Sequence, residues 1–192
     1  MNIELNNKMF ALIQINSQEN MLLKSVEIFY NTLNYINDFI TIISSNSKIS
    51  IRLIDYFVTK YSKKNKINYK INEDTFNIYQ SYKQQLKSFQ KKNFDPFARG
   101  LRIPYCIGGS WVITTIGQLN FFKWFISKNI LEYVNKNKDI IENDMNKNKK
   151  IKLDIKIKKN KIYKKNNLKI LNNMTCHKMS NVKVKNNILV TF

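Results

Sequence analysis

The chain has 192 residues and a formal net charge of +20, from 33 Lys and Arg against 13 Asp and Glu. A hydrophobic content of 43%, with 12% aromatic residues, excludes a chain that is disordered throughout, and the length is enough to bury a core. Two cysteines exclude a disulfide framework and point to a reducing compartment.

The first part of the chain is predicted to be helical. Apolar residues recur at three- and four-residue spacing over residues 19–43 and predict one amphipathic helix. The same spacing predicts a second helix over about 50–63. Residues 67–71 instead alternate between apolar and polar, which is typical of a short strand.

A third helix is predicted over about 75–92, with Asp74 or Thr75 as its cap. Lys83, Lys87 and Lys91 are four residues apart, so they would lie along one side of this helix. Because like charges at this spacing repel, an anionic partner or solvent must absorb the repulsion.

The middle of the chain combines a loop, a hairpin and an aromatic helix. Pro96 and Gly100 indicate a loop over 94–100. Apolar segments on both sides of Gly108-Gly109 predict a β-hairpin near 103–115. Thr115 and Gln118 have the spacing of a capping box, which opens an aromatic helix over 116–134 at the centre of the core.

Residues 146–192 differ from the rest in composition, because they hold 14 Lys and a single acid, Asp154. Residues 135–150 read as a linker or a fraying helix end. Strict alternation over 151–158, repeated over 182–185, predicts two strands that could pair as a Lys-rich ribbon. The expected fold is therefore α+β, with a mainly helical core domain, residues 1–145, and a basic β-rich segment, residues 146–192.

Three segments carry a resemblance to a known family: residues 50–61, residues 82–99 and residues 114–124. Together they resemble an uncharacterised protein family of nucleocytoplasmic large DNA viruses, the giant-virus group. The family pattern has Trp where this chain has Tyr56, and Cys-Arg-Arg where this chain has Ala98-Arg99-Gly100. The resemblance implies a viral setting and no assigned activity.

The charge distribution selects for polyanions. Long cations on a rigid helix, followed by guanidinium groups, would suit phosphate contacts rather than base reading. The candidate nucleic-acid-binding residues are Lys83, Lys87, Lys91, Lys92, Arg99, Arg102, Lys152, Lys156, Lys158 and Lys159. Three alternatives stand beside this interpretation: a solvated helix face, a ribbon edge protected by lysine, and an AT-rich codon bias.

Catalytic and metal-binding patterns are weak. The possible zinc ligands are Cys106 and the neighbouring residues Cys176 and His177. Two adjacent residues have poor geometry for binding one ion, so no metal or other cofactor is expected. The candidates for Mg²⁺-dependent chemistry on nucleic acid are Asp55, Asp95, Glu73 and Asp74, without a supporting motif, and a position at a helix start explains the last two. Phe94 and Phe97 could stack on bases, or pin their loop to the core with Asp95 bonding Arg99.

The leading hypothesis is a non-enzymatic nucleic-acid-binding protein of a large DNA virus that contacts mainly phosphates. The alternative is a structural or interaction module whose basic tail docks on an acidic protein partner. No secretory signal or membrane-spanning stretch is visible, so the expected location is the viral factory in the host cytoplasm, or the virion.

Overall fold

The computed structural model describes residues 6, 10, 13, 15–32, 35–44, 47–71, 74–107 and 110–179, the last seventeen of these as backbone only. The chain divides into two compact units, residues 1–145 and residues 146–192. The predicted strand over 182–185 lies outside the described residues.

The described elements are helices joined by two small antiparallel strand pairs, so the predicted α+β class is confirmed. In chain order they are α1 (Ser17–Thr32), α2 (Tyr35–Ile43), α3 (Ile51–Tyr56), a π-helical turn (Phe57–Tyr61), α4 (Ser62–Asn65), β1 (Asn68–Ile71), β2 (Asp74–Asn77), α5 (Ile78–Phe89), β3 (Arg102–Ile107), β4 (Ser110–Thr115), α6 (Ile116–Ser127), α7 (Ile130–Lys136) and α8 (Lys138–Met179).

Helix α6 forms the centre of the core, as its aromatic composition predicts. Phe121, Phe122 and Phe125 are almost completely buried. Both α1 and α2 pack against α6, and the hydroxyl of Tyr30 on α1 donates to the carbonyl oxygen of Leu119 at 3.0 Å. Where the spacing over 19–43 predicts one helix, the structure describes two, α1 and α2, and residues 33 and 34 between them lie outside the described residues.

The helix predicted over 116–134 likewise consists of two helices. It is interrupted at Lys128 and Asn129, where Asn129 adopts the left-handed conformation with φ 54°. Asparagine tolerates this region better than most residues, so the chain can turn there between α6 and α7. The hydroxyl of Thr115 accepts a hydrogen bond from the Gln118 amide at 3.1 Å, which confirms the predicted cap of α6.

Both strand pairs are antiparallel hairpins. The predicted hairpin near 103–115 is confirmed, with Tyr105 opposite Val112 in its register. The predicted strand at 67–71 is also confirmed, and β2 pairs with it. Because residues 74–77 form β2, the predicted caps Asp74 and Thr75 are wrong: the side chain of Asn77 caps α5, accepting from the Gln80 amide at 2.8 Å.

The C-terminal part of the fold differs most from expectation. Residues 138–179 form one helix. Of the two alternatives for residues 135–150, a linker or a fraying helix end, the linker is therefore wrong, and so is the strand predicted over 151–158. The segment contains no Gly or Pro, and Lys and Leu are good helix formers. A helix satisfies its backbone hydrogen bonds locally, whereas a two-stranded ribbon is marginal in water.

Helix α8 also begins with an acidic segment that contains Asp139, Glu142 and Asp144. Negative charges near a helix N-terminus are favourable because they complement the helix dipole. In the part of the chain that the structure describes, no helix, α8 included, is both long and apolar enough to cross a membrane.

Candidate nucleic-acid interface

The first basic surface follows α5 and the turn beyond it. Lys83 and Lys87 are exposed on α5. The helix ends at Phe89, so Lys91 and Lys92 lie in the following turn and the predicted stack of three lysines ends at Lys87. Among the described residues, Lys83, Lys87 and Lys91 make no hydrogen bond or ion pair, which leaves their charges available to a partner.

Two of the predicted cations are already held by carboxylates. Lys92 Nζ lies 2.6 Å from Glu19 Oε1. Arg99 donates from Nε and Nη2 to the two oxygens of Asp95, at 2.7 and 2.6 Å, and its guanidinium lies 4.9 Å from the centre of the Phe97 ring. Arg102, at the start of β3, is exposed and makes no such pair within the described ranges.

The Asp95 loop is built into the core. Phe94 is 1% exposed and packs on Phe121 and Trp124, so the base-stacking hypothesis is wrong for this residue. Gln118 Nε2 donates to the Pro96 carbonyl oxygen at 2.9 Å, and the Asp95 amide donates to the Gly117 carbonyl oxygen. These contacts anchor the loop to α6 and leave Arg99 at the surface, which confirms the structural interpretation of this segment.

Asp55 lies close enough to this loop to interact with it electrostatically. Burial raises the pKa of the Asp55 carboxyl, and the negative charge of Asp95 raises it further, while Arg99, Lys60 and Lys91 act in the opposite direction. Burial and the same two carboxylates raise the pKa of the Tyr82 hydroxyl. The tertiary fold thus brings together the three segments that carry the family resemblance.

The second basic surface is the exposed part of α8 over residues 146–162, which we call the lysine helix. It contains eight lysines and one acid, and every residue in it except Asn148 is exposed. At 1.5 Å per residue the lysine helix is roughly 25 Å long, and its lysines extend over about 21 Å of that length. Their charges therefore recur about every 3 Å along the axis.

Helical geometry divides the lysines of the lysine helix between two opposite sides. The unbroken stripe contains Lys149, Lys152, Lys156 and Lys159. The interrupted stripe contains Lys147, Lys150, Lys158 and Lys161, with Asp154 in its middle. A strand would have put Lys158 beside Lys152 and Lys156; the helix places Lys159 there and moves Lys158 to the other side.

Exposed apolar side chains separate the two stripes. They are Ile151, Leu153, Ile155, Ile157 and Ile162, between 45% and 60% exposed. Apolar and polar residues alternate in this segment, and on a helix such alternation places the apolar residues on two sides, so no single hydrophobic face forms. The lysine helix thus presents charge in two directions.

Sequence reasoning missed a cleft of about 640 Å³ between α1, α5 and α6. Asn120, Lys123 and Ser127 of α6 line it, at three- and four-residue spacing. This polar stripe on an otherwise aromatic helix was a signal that the sequence contained. Lys123 Nζ donates to the Ser25 hydroxyl at 2.6 Å and to its carbonyl oxygen at 3.1 Å, and burial lowers the Lys123 pKa.

Metal ligands are not gathered in the described ranges. They contain no group of three or more His, Cys, Asp and Glu residues that could hold a metal ion. Cys106 is buried, and its backbone N–H donates to Asn6 Oδ1 while its carbonyl oxygen accepts from Asn6 Nδ2. The side chains of Cys176 and His177 lie outside the description.

Comparison with known proteins supports the resemblance. A model of a family of unknown function, DUF7197, matches residues 3–190. The chain is 39% identical over 132 residues to "Uncharacterized protein L507" of Acanthamoeba polyphaga mimivirus; this match covers 64% of the chain and 51% of the mimivirus protein. The chain thus spans about half the length of this relative. No solved structure matches. Since the family match covers nearly the whole chain, the protein belongs to DUF7197, and its predicted kinship with uncharacterised giant-virus proteins is confirmed.

Proposed function

We propose that this protein binds nucleic acid without acting on it chemically, and that it does so mainly through phosphates. The observation that carries the proposal is the lysine helix, with eight lysines against one acid over roughly 25 Å. Duplex DNA carries one charge per 1.7 Å or so of axis, so a regular row of lysines can neutralise several phosphates and release their counterions.

The lysine type supports backbone binding over sequence reading. Lysine is a point charge without the planar fork that arginine offers to a base edge. Only three arginines are present, and Arg99 is engaged with Asp95. The proposal places the protein with viral nucleic acid, in the viral factory of the host cytoplasm or in the virion.

A salt series tests the proposal. Fluorescence anisotropy of labelled single-stranded and duplex oligonucleotides should show affinity falling steeply between 50 and 200 mM salt, by about a thousandfold if six phosphates are neutralised. Absent binding, or an affinity that salt does not change, contradicts the proposal.

Two variants with equal charge test the role of the lysine helix. One replaces the four lysines of the unbroken stripe by Gln, and the other replaces the four lysines of the interrupted stripe. We expect the first to lose more affinity and to lower the salt slope by about 3, because its row contains no acid. Equal losses would assign binding to total charge rather than to one side of the helix.

A second candidate function is docking on an acidic protein partner. The exposed isoleucines and Leu153 of the lysine helix favour docking, because apolar side chains can pack against a protein surface but make no favourable contact with phosphates. A pull-down after nuclease treatment separates the two functions. Protein partners that remain bound after nuclease treatment support docking, whereas partners that are released by nuclease support nucleic-acid binding.

A further inference from the structure

The cleft between α1, α5 and α6 has the chemistry of a binding site. Its volume of about 640 Å³ falls within the range of small-molecule pockets. The described residues that line it include two lysines, several Ser, Asn and Gln side chains and two aromatic rings, but no acid. A cleft with cations, neutral hydrogen-bonding groups and aromatic surface suits a ligand that joins a flat ring to an anion.

Asn120 is the most informative residue of the cleft. It is 4% exposed, and its Nδ2 donates to the Asn93 carbonyl oxygen at 2.9 Å. Because a backbone carbonyl only accepts, this bond determines which way the amide points. Its Oδ1 accepts no hydrogen bond from any described residue, so the cleft contains a fixed and unpaired acceptor. Every nucleobase carries an N–H donor that could satisfy it.

The aromatic groups of the cleft are also held in place. Trp124 Nε1 donates to the Ser81 hydroxyl at 3.0 Å, so its polar group is already satisfied. Phe89 is partly exposed and stacks on Phe94 at 6.3 Å between ring centres. A planar base can therefore pack on the partly exposed Phe89 ring, whereas Trp124 is 5% exposed and offers little surface for stacking.

The cations lie on α6 and just beyond it. Lys123 bonds Ser25 in two places, which orients its ammonium group at the cleft wall. Lys128 follows the end of α6 and also lines the cleft. Its Nζ lies 5.7 Å from the centre of the Phe76 ring on β2, which does not line the cleft, so this side chain must turn to contact a phosphate there. Both side chains are only partly exposed, so a phosphate placed here would be bound more strongly than on an open surface.

We propose that this cleft binds one nucleoside phosphate, with Asn120 accepting from the base, Phe89 packing on it, and Lys123 and Lys128 contacting the phosphate. The ligand is either a free mononucleotide or an unpaired nucleotide of a strand. For the strand-bound form, the inference rests on the proposed function.

The test uses the full chain with Trp111→Phe, which leaves Trp124 as the sole tryptophan and thus a reporter in the cleft. AMP, UMP, ribose 5-phosphate and inorganic phosphate are titrated by fluorescence and by calorimetry. We expect saturable binding of the mononucleotides, at least about tenfold tighter than of ribose 5-phosphate, since only the former carry a base. No saturable binding of mononucleotides, or equal affinity for ribose 5-phosphate, overturns the inference.

Two Lys→Gln variants locate the site. Lys128→Gln should weaken mononucleotide binding by about fivefold or more, whereas Lys48→Gln, which changes the charge equally on an exposed position outside the cleft and outside both basic surfaces, should leave it unchanged. Equal effects of the two variants assign the binding to general charge and overturn the inference.

Two further arms separate this inference from the proposed function. The unbroken-stripe variant should lose oligonucleotide affinity and keep mononucleotide binding. An unpaired oligonucleotide that competes with AMP identifies a strand as the source of the ligand, and an oligonucleotide that does not compete identifies free mononucleotide. Mononucleotide binding without any oligonucleotide binding would contradict only the proposed function.

Discussion

Arg99 forms a bidentate salt bridge with Asp95, in which Nε donates to Oδ2 at 2.7 Å and Nη2 donates to Oδ1 at 2.6 Å. Asp95 is buried, whereas more than half of the Arg99 side chain is exposed. The negative charge of Asp95 is therefore buried, in the loop between α5 and β3. Hydrogen bonds to the buried carboxylate are what make that charge tolerable there.

Arg99→Gln should therefore destabilise the protein. We expect the free energy of unfolding to fall by about 1 to 2 kcal/mol, less than for a fully buried pair because solvent screens the guanidinium. Urea unfolding measures it. The matched control is Arg102→Gln, which removes an exposed arginine without an ion pair in the described ranges and should change stability by less than about 0.5 kcal/mol. Equal effects of the two substitutions would contradict this role of Arg99.

Gly117 allows the same loop to approach α6. A Cβ added there would lie 2.7 Å from the Lys92 carbonyl oxygen and 3.4 Å from two further backbone atoms, so backbone must move. Gly117→Ala should cost about 1 to 3 kcal/mol by overpacking. At Gly100 the nearest atoms would lie 4.0 Å away, so Gly100→Ala should be near neutral or slightly stabilising. A tolerated Gly117→Ala in thermal unfolding would show that the loop moves freely.

Glu27 makes stability depend on pH. It is 4% exposed, and its Oε1 has no hydrogen-bond partner among the residues that the structure describes. Burial raises the pKa of its carboxyl above the usual 4.5, against smaller effects of Asn6 and Lys24. The folded state therefore holds this proton more tightly than the unfolded state, and stability falls as pH rises above about 4.5.

Glu27→Gln should remove that cost. We expect the variant to be more stable than the parent at pH 7, with the difference shrinking as the pH falls to 4.5 and below. Urea unfolding at several pH values measures it. Glu142→Gln changes an exposed carboxyl and serves as the control. A Glu27→Gln variant that is less stable at pH 7, or a gain that does not change with pH, would refute the explanation.

Asp154 is the single acid of the lysine helix, and it lies four residues from both Lys150 and Lys158. Asp154→Asn should raise oligonucleotide affinity by about two- to fivefold, because it removes a repulsive charge among phosphate contacts. Asp139→Asn changes the net charge equally but lies in the first turn of α8. Anisotropy titrations at one salt concentration compare them, and equal gains would argue against a local effect.

Local sequence signals were sufficient for several features. The Thr115 cap, the hairpin around residues 108–109 and the aromatic core helix each depend on neighbouring residues, so spacing and residue type identify them. The resemblance to the family was likewise visible in the sequence of three short segments, residues 50–61, 82–99 and 114–124. The charge excess over residues 146–192 follows from composition alone.

Other features depend on contacts between residues distant in the chain. The capture of Arg99 by Asp95, and the meeting of Asn120 with Asn93 in the cleft, require a folded loop against α6. For residues 151–158 the alternating pattern favours a strand, but a strand needs a partner to satisfy its backbone, and a helix does not. Period alone therefore could not assign the side on which each lysine lies, because that side follows from the backbone geometry that the whole chain adopts.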